Sequence, residues 1–167
     1  MAPGSPKGRD SYAKLLAPIL TIESDLQLVD ELVHLPNGEG LTKAALILDQ
    51  QKFTKIAFKK TFNAFADNIY YSDPDRANLY LGGGATPKNE QSIAYLLRND
   101  ILTNVENLQA EVTYLIKVQQ KNDLGEEKES FEDLFEYVGN ARKAMGKYLE
   151  LVPPGELKMS RSMLTQA

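Results

Sequence analysis

The 167-residue chain has no cysteine and one histidine. Without thiols it can hold no cysteine nucleophile, no cysteine-bound zinc, no iron–sulfur cluster and no disulfide. The single histidine, His34, has no second histidine with which to share a metal. No partner is visible that would make it a general base, so a surface or helix-capping role is the simpler one. The chain has no Gly-x-Ser-x-Gly elbow for a serine hydrolase. The Glu-x-x-His spacing of di-iron bundles occurs once, at Glu31 and His34, where such a site needs two. No apolar run reaches the roughly 18 to 20 residues of a membrane span. The net charge of −4 is small and of the wrong sign for a nucleic-acid-binding domain. Nothing in this inventory supports catalysis or a bound cofactor, and the expectation is a non-enzymatic protein.

What is present is helical periodicity. The length suits one domain with a core large enough to need no metal or disulfide staple. Residues 1–10, with Pro3, Gly4, Ser5, Pro6 and Gly8, form an expected flexible lead-in. Leu15, Ile19, Ile22, Leu26, Val29 and Val33 then recur at steps of three and four, the mark of one buried helical stripe. Pro18 inside this stripe suits either a helix start or a kink. Leu35-Pro36-Asn37-Gly38 ends the helix.

A second helical stretch runs from Leu41 to Ile69. Leu41, Ala45 and Leu48 set one stripe and Phe58, Phe62, Phe65 and Ile69 another, with a phase shift at Gln50–Phe53 that predicts a kink or break. Lys52, Lys55 and Lys59, with Lys60 beside them, form a basic strip away from the aromatics. It fits either a solvated face or an electrostatic docking surface.

The third stretch is the longest, with Ile93, Leu97, Ile101, Val105, Leu108, Val112 and Leu115 on one stripe between Asn89 and Gln120. An acidic linker, Asp123 to Glu129, reads as a turn in preference to a calcium site. Ser130 with Asp133 three residues on resembles a capping box. Phe131, Leu134, Val138, Ala141, Met145, Tyr148 and Val152 carry the fourth stripe, which Pro153-Pro154-Gly155 should end. The expected architecture is therefore all-α: an up-and-down four-helix bundle over residues 11–152, followed by a tail over 153–167.

One connection is too long and too rich to be a spacer. Between the second and third helical stretches lies Tyr70-Tyr-Ser-Asp-Pro-Asp-Arg-Ala-Asn-Leu-Tyr-Leu-Gly-Gly-Gly-Ala-Thr-Pro87, and loops of this length are usually functional or disordered. Tyr70, Tyr71 and Tyr80 are packing groups, Asp73 and Asp75 flank a stiff proline turn, and Arg76 can pair with either aspartate or reach a partner. The composition fits a packed Ω-loop closing one end of the bundle, and also a partner-docking loop anchored by Tyr and Arg. The three glycines follow no strand and no Gly-Lys-Ser/Thr is present, which counts against a phosphate loop.

The third helix also carries a family likeness. Ala94-Tyr95-Leu96-Leu97-Arg98-Asn99-Asp100-Ile101-Leu102-Thr103-Asn104-Val105 resembles the signature helix of PsbQ-like extrinsic proteins of photosystem II, and Phe131 to Leu151 is similar in character to the helix that follows it there. The likeness covers about a third of the chain, and the Tyr70–Pro87 connection departs from the family pattern. The resemblance implies a non-catalytic extrinsic subunit or assembly factor of a photosynthetic membrane complex. It would be peripheral to the membrane and in or near the thylakoid lumen. From the residues themselves, the aromatic loop and the lysine strip are the surfaces expected to bind its protein subunits. Two alternatives stand beside this reading. One is a cytoplasmic protein; the other is a small-molecule or pigment-binding bundle with its ligand among Phe58, Phe62, Phe65 and Tyr114.

Overall fold

Most positions of each apolar stripe lie on a buried helix face, with Leu15, Ala45 and Leu97 among those only partly covered and Ile93 exposed. The computed structural model describes residues 7–69, 87–122 and 130–165, and among these all regular structure is helical, with no strand. The fold is all-α. The connection over residues 70–86 and the acidic turn at 123–129 lie outside the described residues.

Helix α1 spans Lys7–Val33. Leu16, Ile19, Ile22, Leu26, Val29 and Val33 form its inner face, each at most 1% exposed. It begins eleven residues before Pro18, so the lead-in expected over residues 1–10 already includes four helical residues, Lys7 to Asp10. Pro18 lies on the exposed side, where its missing amide N–H is tolerated, and the Thr21 hydroxyl donates to the Ala17 carbonyl at 2.9 Å one turn away.

The helix ends where the sequence breaks it. Pro36–Gly38 makes a single 3-10 turn in which Asn37 and Gly38 take φ of 59° and 69°. Gly38 is buried, and a Cβ there would run into the Gln119 side chain. Helix α2 (Leu41–Leu48) follows, then a 3-10 turn at Gln51–Phe53, then α3 (Lys55–Asn68). The predicted break is thus real, made by extended residues at Gln50 and Thr54 on either side of the turn. On α2 the buried small residue is Ala44, and Ala45, expected in the stripe, is only partly covered.

Helix α4 spans Pro87–Asn122, 36 residues, or about 54 Å at the α-helical rise. Its stripe starts at Ala94; Ile93, expected to be buried, is 47% exposed. Helix α5 covers Glu132–Leu149, and the Ser130 hydroxyl accepts the Glu132 N–H at its start.

The expected tail is not one. Pro154–Thr165 forms α6, with Ser160 buried and Leu157 packed against the core. A proline in the first helical turn gives up only an N–H that has no helical partner anyway, so Pro154 starts a helix as readily as Pro153 stops one.

Helix α4 lies most extensively along α5. Helices α2 and α3 each pack against both α1 and α4, while α1 also packs against α5 and α6. At the centre the Phe58 and Phe62 rings stack at 4.5 Å, and Tyr148 meets Phe62 edge-on at 4.9 Å. The Tyr148 hydroxyl donates to the Phe62 carbonyl at 2.7 Å. Burial is the main cause that pushes this phenol's pKa far above its ordinary value.

Candidate docking surface

The long connection leaves α3 at a heavily secured point. Around it, three side chains of α4 reach back to the last turns of α3. Gln91 Nε2 donates to the Ala66 carbonyl at 3.1 Å, the Tyr95 hydroxyl donates to Asp67 Oδ1, and Arg98 donates to Asn63 Oδ1. The Ala66 carbonyl already accepts the Ile69 N–H at 3.5 Å at the end of α3, and Gln91 adds a second donor from α4. The Arg98 guanidinium lies 5.3 Å from the centre of the Tyr95 ring. The hydrogen bond to Asp67 is the first cause raising the Tyr95 pKa, followed by burial and by the carboxylate's charge, against which Arg98 acts.

Tyr95 and Arg98 both lie on the Ala94–Val105 stretch of α4, and in this fold they fasten α3 to α4. Two further α4 glutamines act in the same way. Gln109 Nε2 donates to the Leu48 carbonyl at 2.9 Å, at the end of α2, and Gln119 Nε2 donates to the Asn37 carbonyl at 3.1 Å, in the turn after α1. One long helix therefore closes the ends of three elements with neutral donors. In the sequence Tyr95 and Arg98 stand out as a motif and the glutamines do not. Gln91, Gln109 and Gln119 stand three or four residues from the buried positions Ala94, Val112 and Leu115, so their flanking place on α4 was readable in part.

The expected partner residues separate into three groups. Tyr70, Tyr71, Asp73, Asp75, Arg76 and Tyr80 lie outside the described residues. Lys52 is half-buried and ion-paired with Asp25 of α1, which removes it from the docking strip. Lys55 is exposed at the first turn of α3, and Lys59 is partly covered beside exposed Lys60. These lysines have apolar companions that the helical stripes do not mark. Ile56 is 84% exposed and Leu46 of α2 is 67% exposed.

His34 is exposed, its Nδ1 lies 2.7 Å from the Asp30 carbonyl oxygen, and its ring stacks on Phe135 at 4.1 Å. Asp30 also receives Arg142 of α5. The residue thus closes the end of α1. Among the described residues no group of three or more His, Asp or Glu side chains is placed to hold a metal ion. The aromatic region expected to hold a small molecule is filled by protein: Phe58, Phe62 and Phe65 are at most 1% exposed, with Tyr148 packed on Phe62 and Phe65, and Tyr114 is 49% exposed. A shallow polar cleft between α1, α5 and α6 is lined by Glu23, Leu26, Gln27, Arg142, Met145 and Arg161. Its two arginines are already engaged, Arg142 with Asp30 and Arg161 with Glu23.

No helix among the described residues is long and apolar enough to cross a membrane. No protein-family model, no curated protein sequence and no solved structure matches the chain.

Proposed function

We propose that the chain is a non-catalytic accessory subunit, or an assembly factor, that docks on a photosynthetic membrane protein complex in or near the thylakoid lumen and stabilises it. In this reading the fold is an up-and-down four-helix bundle. Helix α1, the broken α2–α3 rod, α4 and α5 are its four members, and α6 is an added strap on α1.

The observation that carries the proposal is the fastening of the loop root. Gln91, Tyr95 and Arg98 fix the end of α3 from α4, so the chain enters the Tyr70–Pro87 connection from a rigid base. A recognition segment with three tyrosines and one arginine as anchors binds more tightly when its base is already ordered, because less conformational entropy is lost on docking. The likeness of the Ala94–Val105 stretch to PsbQ-like proteins supplies the class of partner.

Pull-down from solubilised thylakoid membranes tests this directly. Wild-type protein should retain subunits of a photosynthetic complex, and Arg76→Ala and Tyr80→Ala should each weaken that retention. Retention undiminished by both substitutions would remove the loop from the interface, and an empty wild-type pull-down would remove the partner class.

A further inference from the structure

The outer side of the α2–α3 rod has a different chemistry from the rest of the molecule. Between Leu41 and Thr61 five lysines stand against one aspartate, a local charge of +4 in a chain of −4, so the remaining residues carry −8. Lys52 is committed to Asp25. Lys43, Lys55 and Lys60 are exposed and Lys59 is partly so. On α3, Ile56 shares a face with Lys59 and Lys60 at spacings of three and four; on α2, Lys43 and Leu46 are three apart. Both helices pack against the same two neighbours, α1 and α4. Each of the two helices therefore turns a face away from both neighbours, and Ile56 and Leu46 stand on these outer faces, 84% and 67% exposed.

We infer that this face is a peripheral binding surface for an anionic lipid bilayer, with Ile56 and Leu46 entering the headgroup layer and Lys43, Lys55, Lys59 and Lys60 meeting its phosphates. Composition selects lipid over protein as the occupant. Protein interfaces are enriched in aromatic residues and arginine and depleted in lysine, whereas no arginine occurs between Leu41 and Thr61 and both phenylalanines there are buried. Protruding aliphatic groups ringed by lysine match a membrane surface, where each lysine near the headgroups adds attraction and apolar burial adds to it. The charge asymmetry orients the molecule, because the acidic remainder is repelled by the surface the rod attracts. The inference stands apart from the loop-docking proposal and uses no residue of that loop.

Co-sedimentation of the full chain with vesicles tests it. One set is phosphatidylcholine alone and the other phosphatidylcholine mixed with phosphatidylglycerol. Wild type should sediment with the anionic vesicles, remain in solution with the neutral ones, and be released by salt. Leu46→Ser with Ile56→Ser, and separately Lys55→Glu with Lys60→Glu, should each lower the partition by about tenfold or more. Circular dichroism should show both variants folded, since all four positions are exposed. Wild type that stays in solution with anionic vesicles overturns the inference and leaves an acidic protein surface as the strip's partner. Folded variants that sediment as well as wild type overturn it too.

Discussion

Helix α3 has two sides with opposite chemistry. Inward, Phe58, Phe62 and Phe65 are at most 1% exposed; Phe62 and Phe65 meet Tyr148, and Phe58 stacks on Phe62. Outward, Ile56 is 84% exposed beside Lys59 and Lys60. Fourteen residues thus hold the fold on one face and present a charged, apolar surface on the other. The two faces are energetically separable: substitutions inside should change stability, and substitutions outside should change binding alone.

The largest effect should come from the inner face. Phe62→Ala removes a fully buried ring and should cost about 3–5 kcal/mol, read from denaturant unfolding. A loss below about 1 kcal/mol would mean that the cluster is less tightly packed than the ring distances imply.

Next is Tyr148→Phe, which gives up one buried hydrogen bond, about 1 kcal/mol near neutral pH. Its pH signature is sharper. Burial raises the native phenol's pKa, while in the unfolded chain it ionises near the usual value of about 10. The unfolded state therefore binds fewer protons above pH ~10, so stability is fully present below that pH and falls as pH rises. Wild type should lose stability between pH ~9 and ~11 more steeply than Tyr148→Phe. Parallel curves would contradict this account of the phenol.

A smaller effect is expected at the loop root. Arg98→Ala removes a surface-facing donor and should cost under about 1 kcal/mol overall. It should still speed hydrogen exchange in the last turns of α3, from Asn63 to Asn68, more than in α5. The smallest change in stability belongs to Ile56→Ser, within about 0.5 kcal/mol of wild type.

The helices were legible because each buries one stripe at steps of three and four, and the break at Gln50–Phe53 was legible as a change of phase. Helix α6 was not, because Pro153-Pro154-Gly155 looks the same whether it ends a helix or begins one. The pairing of Lys52 with Asp25 joins residues far apart in sequence, so the basic strip looked one lysine richer than it is. The exposure of Ile56 was partly written in the sequence, since two residues before Phe58 is about 200° around the helix. An isolated isoleucine at such a position carries no meaning until α1 and α4 define which side is covered. In the same way the Tyr95 and Arg98 motif was visible, while its work in holding Asp67 and Asn63 needed the packing of α4 on α3.

The chain has no tryptophan, so one introduced at the outer face reports on that face alone. Ile56→Trp should shift its emission to shorter wavelength when vesicles containing phosphatidylglycerol are added and stay unchanged with phosphatidylcholine alone. Lys143→Trp, on the exposed side of α5, should not respond to either. An unresponsive Ile56→Trp, or an equal shift from both positions, would contradict the assignment of the α2–α3 face to the membrane.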